Sequence, residues 1–195
     1  MAEHDGLAQR GRALEEEYFR KRDRELIEKM RKAAAADQAR GELGRKTGLE
    51  DPALLEELQE LGFTPETVIL LPVLPVLEMA WAEQEITAAE RSLIVKFARS
   101  RGVDEHSTAD DQLTQWMASR PDEAVFRGAR RLVAAMLSSG RSQEGRPLTA
   151  DELVGYCEEI AAASGGILGM RLGSVSPEEK ALLSRIASDL KSRRT

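Results

Sequence analysis

Residues 64–102, TPETVILLPVLPVLEMAWAEQEITAAERSLIVKFARSRG, are the most apolar part of an otherwise highly charged chain, and their reading decides the fold. They predict two helices joined by a short acidic turn. Thr64 stands as N-cap, with Pro65 at the first helical position. Val68, Ile69, Leu71, Leu74, Leu77, Met79 and Trp81 then leave almost no polar face, which places that helix in the middle of the fold. Pro72 and Pro75 each remove an amide donor and crowd the preceding turn, at about 3 kcal/mol in a helix interior. The helix should therefore kink near Leu71 or split in two; the simpler meaning is a bend that wraps the core, the other a hinge. Glu83-Gln84-Glu85 interrupts the apolar run. Thr87-Ala88-Ala89-Glu90 has the spacing of a capping box that restarts a helix, and Gly102 ends it where a left-handed residue is needed.

The remaining composition narrows the class. A chain of 195 residues holds one sizeable core, or a smaller core with an appendage. Aromatic residues make up 4% and β-branched runs are scarce, which argues against sheets. A net charge of −6 gives no reason to expect nucleic acid as a partner. The single cysteine, Cys157, excludes an internal disulfide framework and fits a reducing compartment. Its neighbours Leu153, Val154, Tyr156 and Ile160 mark it as a packed core thiol. The opening MAEHDGLAQR has no apolar segment of the kind a secretory signal needs. The longest apolar run, Val68 to Leu77, falls short of the ~20 residues of a membrane span. These features lead us to expect a cytoplasmic protein without a membrane span.

Working outward to the N-terminus, residues 7–40 predict one long helix with few apolar residues: Leu7, Leu14, Tyr18, Phe19, Leu26, Ile27 and Met30, before the alanines 33–36. These form a narrow stripe that drifts between faces, not a core face. Support comes from charge spacing. Glu16–Arg20, Glu17–Lys21, Glu25–Lys29 and Glu28–Lys32 are i,i+4 pairs with the acid N-terminal, each contributing a few tenths of a kcal/mol. Residues 1–46 hold 12 Lys/Arg against 10 Asp/Glu, whereas the rest holds 16 against 24, so a slightly basic arm precedes an acidic body. Gly41, Gly44 and Gly48 are expected to break helicity and supply the boundary, giving an arm over 1–46 and a body over 47–195.

Toward the C-terminus, Asp51-Pro52 opens a short helix that Gly62 stops. Helices are expected around Leu113, Trp116 and Met117, from Pro121 through Met136, from Thr149 to about Ser164, and from Ser176-Pro177 onward. Residues 138–147 read as a loop and Gly165–Gly173 as a glycine-rich connection. No stretch alternates with period two. The fold class is all-α: a long charged N-terminal helix followed by a compact bundle of about six to seven helices. A weak repeat at an offset of 89 aligns Ile86-Thr87-Ala88-Ala89-Glu90 with Val175-Ser176-Pro177-Glu178-Glu179, although any capped amphipathic helix has this pattern.

Two resemblances bear on function. Ala82-Glu83-Gln84-Glu85-Ile86-Thr87-Ala88-Ala89-Glu90, with the second copy Arg171–Glu179, resembles the TerB family of tellurite-resistance proteins and DjlA-type co-chaperones, over about residues 50–192. That resemblance implies an all-helical TerB-like domain and an acidic patch for a divalent cation, with Glu83, Glu85 and Glu90 in the matching positions. Gln84 replaces the family's turn glycine, Leu172 stands where the second copy would offer an acid, and capping already accounts for Glu90. Ala13-Leu14-Glu15-Glu16-Glu17-Tyr18-Phe19-Arg20 resembles the inhibitor proteins of the mitochondrial ATP synthase, over about residues 8–32. It implies a helix that inserts into the catalytic head of ATP synthase, with Tyr18 and Phe19 as anchors. Ala13, Glu15, Glu16, Arg20 and Arg24 belong to the same partner-binding set. The family's histidine-rich pH switch is absent, so pH control does not carry over.

No His/Cys metal cluster, phosphate-binding glycine loop or nucleophile elbow is present in the sequence. Lone His106 reads as solvated, and Trp81 and Trp116 as core. The chain is expected to be non-enzymatic and to need no cofactor beyond a candidate divalent cation. The leading expectation is a regulatory binding protein that inhibits ATP hydrolysis by ATP synthase. The alternative is a stress-response scaffold of the tellurite-resistance type, and a third reading has the N-terminal helix self-associating.

Overall fold

A computed structural model describes residues 2–83, 85–139, 148–164 and 176–191, with residues 2–16 as backbone alone. It is all-helical, with eight α-helices and no strand among the described residues. No described helix is long and apolar enough to cross a membrane. The chain divides into two units, residues 1–39 and residues 40–195. The glycine-rich connection, most of the 138–147 loop and the start of the second repeat copy lie outside the described residues.

Helix α1, Ala2–Thr47, supplies the first unit and the opening of the second. It does not stop at Gly41 or Gly44. Leu43 is fully buried and Thr47 nearly so, and that burial outweighs the ~1 kcal/mol that a glycine costs in a helix interior. Gly44 has a packing reason as well, because a Cβ there would come within 3.1 Å of the Leu49 carbonyl oxygen. The helix ends at Gly48, whose φ of 71° is left-handed. The Thr47 hydroxyl donates back to the Leu43 carbonyl at 2.7 Å.

Within the second unit, α2 spans Pro52–Glu60, capped by Asp51, whose carboxylate accepts from the Ala53 amide at 2.9 Å. The apolar run then divides in two. Residues Val68–Val73 form a 3-10 segment, and α3 runs over Leu74–Ala80. Splitting resolves the proline problem. Pro75 falls in the first turn of α3, where amides have no partner in the helix, and Pro72 stays in the 3-10 segment. Thr64 does not cap a continuous helix as expected. It closes a turn in which its amide donates to the Thr67 hydroxyl and its carbonyl accepts from Val68.

Every residue of α3 is buried. It packs against α4 (Ala88–Ser100), α6 (Glu123–Ser138), α7 (Ala150–Ser164) and α8 (Pro177–Lys191), the central position that its apolar circumference predicts. Helix α4 carries the expected capping box and ends before Gly102, at φ 91°. Helix α5 (Thr108–Ala118) is capped by Ser107. Cys157 is fully buried in α7, and burial holds its thiol far above the usual range. It is an inert core group.

Candidate functional site

Three features depart from the ordinary sorting of apolar residues inside and charges outside. The first is on α1. Tyr18, Phe19, Leu26, Ile27 and Met30 are all exposed, and they are the chain's exposed large hydrophobics among the described residues. Phe19 is 61% exposed and Tyr18 58%, in a helix whose other residues from 17 to 38 are also exposed. The two rings meet edge to face at 5.9 Å, and the Arg22 guanidinium lies 5.9 Å from the Tyr18 ring centre. Lys32 and Glu28 form one of the expected i,i+4 pairs at 2.9 Å, and Arg24 donates to the Arg20 carbonyl at 3.2 Å. Arg20 and Arg24 are exposed beside the aromatics. Ala13, Glu15 and Glu16 lie in the same helix, but their side chains fall outside the described residues.

The second feature is the acidic turn. Glu83 sits exposed in a 3-10 turn over Trp81–Glu83, Glu85 is also exposed, and Glu90 is 1% exposed at the start of α4. Glu90 completes the capping box: its carboxylate accepts from the Thr87 amide at 2.7 Å, and its own amide donates to the Thr87 hydroxyl at 3.2 Å. Ser176 and Glu179 repeat the arrangement at 2.7 and 3.1 Å at the start of α8, and Glu179 is 2% exposed. Burial raises the Glu90 carboxyl above its ordinary range against the pull of both Thr87 bonds, and the charges of Glu83 and Glu179 raise it further. The two repeat copies therefore place buried carboxylates near one another.

Capping alone does not require that burial. Thr149 and Glu152 make a third box of the same bonds, 3.0 and 3.1 Å, with Glu152 exposed. Glu83, Glu85 and Glu90 are not gathered into one ligand set. No group of three or more His, Cys, Asp or Glu side chains is placed to hold a metal ion among the described residues.

The third feature was not read from the sequence. Glu78 in α3 is 3% exposed and pairs with Arg130 of α6, itself 5% exposed. Arg130 Nε also donates to Asp189 Oδ2 of α8 at 2.9 Å, so one guanidinium joins three helices. Burial pushes the Glu78 carboxyl above its ordinary range despite the guanidinium beside it. Burial also works against the Arg130 charge, but the bonds to Glu78 and Asp189 prevail and raise its pKa. Glu78 Oε2 is buried without a hydrogen-bond partner among the described residues. The signal was present: Glu78 is the lone charge in the run from Val68 to Ala82, and Arg130 interrupts the apolar positions Phe126, Ala129, Leu132 and Val133.

The tryptophans are half-buried. Trp81 Nε1 donates to the Trp116 carbonyl at 3.0 Å, and Trp116 meets Phe63 edge to face at 6.1 Å. His106 is exposed with a left-handed φ of 61°, and its amide donates to Asp110 at 2.9 Å. No family model, no curated protein and no solved structure matches the chain.

Proposed function

We propose that this chain is a non-catalytic regulatory binding protein whose effector is helix α1. The observation that carries the reading is that, among the described residues, the exposed large apolar side chains all lie on α1, where Tyr18 and Phe19 stand adjacent and exposed. Aromatic anchors flanked by arginines are the residue types that dominate protein interfaces, and an amphipathic helix seats such anchors in a groove. The similarity of residues 13–20 to the inhibitor proteins of the mitochondrial ATP synthase names the partner we favour, the catalytic head of ATP synthase. In that complex Tyr18 and Phe19 would be buried at a catalytic interface, and Glu15, Glu16, Arg20 and Arg24 would fix the register by ion pairs. The test is ATP hydrolysis by the isolated ATP synthase of the source organism, titrated with the intact chain and with Tyr18→Ala/Phe19→Ala. Dose-dependent inhibition lost in the double variant supports the reading. Undiminished hydrolysis with the intact chain removes it.

A second reading rests on two buried glutamates at matching repeat positions, Glu90 and Glu179, with the charges of Glu83 and Glu179 raising the Glu90 carboxyl. It is a TerB-like scaffold of the stress-response type, in which a divalent cation relieves the crowding of carboxylates. Thermal unfolding with and without calcium or magnesium tests it. A Tm raised by either cation in the intact chain, and unmoved in Glu90→Gln, supports the scaffold. An unmoved Tm in both removes it.

A further inference from the structure

The exposed apolar residues of α1 are not equivalent. At 3.6 residues per turn, Phe19, Leu26 and Met30 fall within about 40° of one another around the helix, in one line about 16 Å long. Tyr18 and Ile27 lie about 100° and 80° to either side of Phe19. Phe19, Leu26 and Met30 are 61%, 57% and 63% exposed, so no part of the line is covered by the chain itself.

The charges beside the line are as uneven. Arg22 and Lys29 stand on the Tyr18 flank, about 60° and 80° from Phe19. The Arg22 guanidinium lies 5.9 Å from the Tyr18 ring centre, which is the same flank. Asp23 stands on the Ile27 flank, about 40° from Phe19. All three are exposed, and all belong to the first unit. The line therefore has a basic edge on one side only.

A second copy of the chain fits this face poorly. Two such helices packed in parallel along the line set Asp23 against its own counterpart. Packed antiparallel, they bring like flanks together, so Arg22 and Lys29 meet the same two residues of the other copy. Like charges facing across the seam weigh against either pairing. The complementary surface is a different one, apolar along its length with carboxylates on one edge.

Taking α1 as the effector, we propose that it docks lengthwise on a partner protein. Phe19, Leu26 and Met30 sit in an apolar groove, and Arg22 and Lys29 pair with carboxylates along one rim of it. Phe19 is then the first of three anchors on one face, with Tyr18 at the edge of the contact.

The test is inhibition of ATP hydrolysis by the isolated ATP synthase of the source organism, with sedimentation velocity of the full chain beside it. Leu26→Ala/Met30→Ala removes two anchors and keeps a good helix former at both positions; the half-inhibitory concentration should rise about tenfold or more. Ile27→Ala, off the line, should change it by less than about twofold. Arg22→Glu/Lys29→Glu should raise it about tenfold. Lys21→Glu/Arg31→Glu makes the same change of charge more than about 100° from the line and should raise it by less than about threefold. The two reversals are matched locally as well, since each breaks one i,i+4 pair, Glu25–Lys29 or Glu17–Lys21. Sedimentation should show a monomer.

An intact chain that leaves hydrolysis unchanged removes the effector reading and this mode with it. Inhibition that Ile27→Ala weakens as much as Leu26→Ala/Met30→Ala leaves the effector reading standing and overturns the lengthwise groove. Equal losses from the two charge reversals overturn the acidic rim. A dimer that Leu26→Ala/Met30→Ala dissolves overturns the proposal too, because the occupant is then a second copy.

Discussion

Helices α1 and α3 reach the same backbone geometry by opposite routes. From residue 17 to 38, α1 is exposed throughout, and its helicity rests on local terms such as the Glu28–Lys32 pair. Each such pair contributes a few tenths of a kcal/mol, enough in sum for a helix but not for a rigid one. Helix α3 is short, begins with a proline in its first turn, and is held by enclosure among four other helices. The misfits of the two helices are therefore inverse. In α1 the informative residues are apolar, because Tyr18 and Phe19 have no core to join. In α3 the informative residue is charged, because Glu78 sits where a charge is costly. The first misfit lies in the unit with no core around those rings, and the second is answered inside the fold by Arg130.

The contrast breaks most decisively at the buried pair. Arg130→Ala should cost about 3–5 kcal/mol, because it strands the Glu78 carboxyl in the core and takes away the guanidinium that Asp189 bonds. Urea unfolding monitored by circular dichroism measures it. A loss below about 1 kcal/mol would mean that Glu78 reaches water and that α3 is not enclosed. Replacing both partners with apolar residues, Glu78→Leu/Arg130→Met, should recover most of the loss, since an apolar pair of similar size needs no desolvation.

Next in size is the cap between the acidic turn and α4. Thr87→Ala leaves the Glu90 amide without its hydroxyl acceptor and should cost about 1 kcal/mol. Glu90→Gln sharpens the same region through pH. Burial raises the folded-state pKa of Glu90, so the stability it contributes is complete below its unfolded value and is lost as pH rises through the folded value. The glutamine variant does not titrate, and its amide oxygen still accepts from Thr87. Its stability relative to the parent should climb from mildly acidic to neutral pH, read as the difference between two unfolding curves at each pH. A constant difference would mean that Glu90 is solvated.

What the sequence could and could not convey follows the same division. Local signals were legible: the Thr87–Glu90 capping box, the stop at Gly102, and the apolar circumference that centres α3 are all written in neighbouring residues. Pro72 and Pro75 announced a break, but not that a 3-10 segment would take up Pro72. Gly41 and Gly44 misled, because the burial of Leu43 and Thr47 overrides local glycine preference and could not be seen without the partner surfaces. The network of Glu78, Arg130 and Asp189 joins residues 52 and 59 positions apart, and periodicity does not say which charges meet across such separations. The two repeat copies were aligned by pattern, yet the burial that distinguishes Glu90 and Glu179 from the exposed Glu152 is a property of packing.

The smallest expected effect belongs to α1. Tyr18→Ala/Phe19→Ala should change the unfolding free energy of the second unit by less than about 0.5 kcal/mol, as exposed substitutions do. What the double variant removes is the edge-to-face pair and the Arg22 contact with Tyr18, both within the first unit. Unfolding of the second unit is followed through its tryptophans, Trp81 and Trp116, so the readout is separate from the helix signal of α1. A loss of 2 kcal/mol or more, roughly that of a buried aromatic, would mean that the rings have a home in their own chain. They would then be core residues, and the case for α1 as an effector would lose its anchors. An unchanged transition leaves the two rings with no folding role in the second unit, which is the condition for anchors kept for a partner.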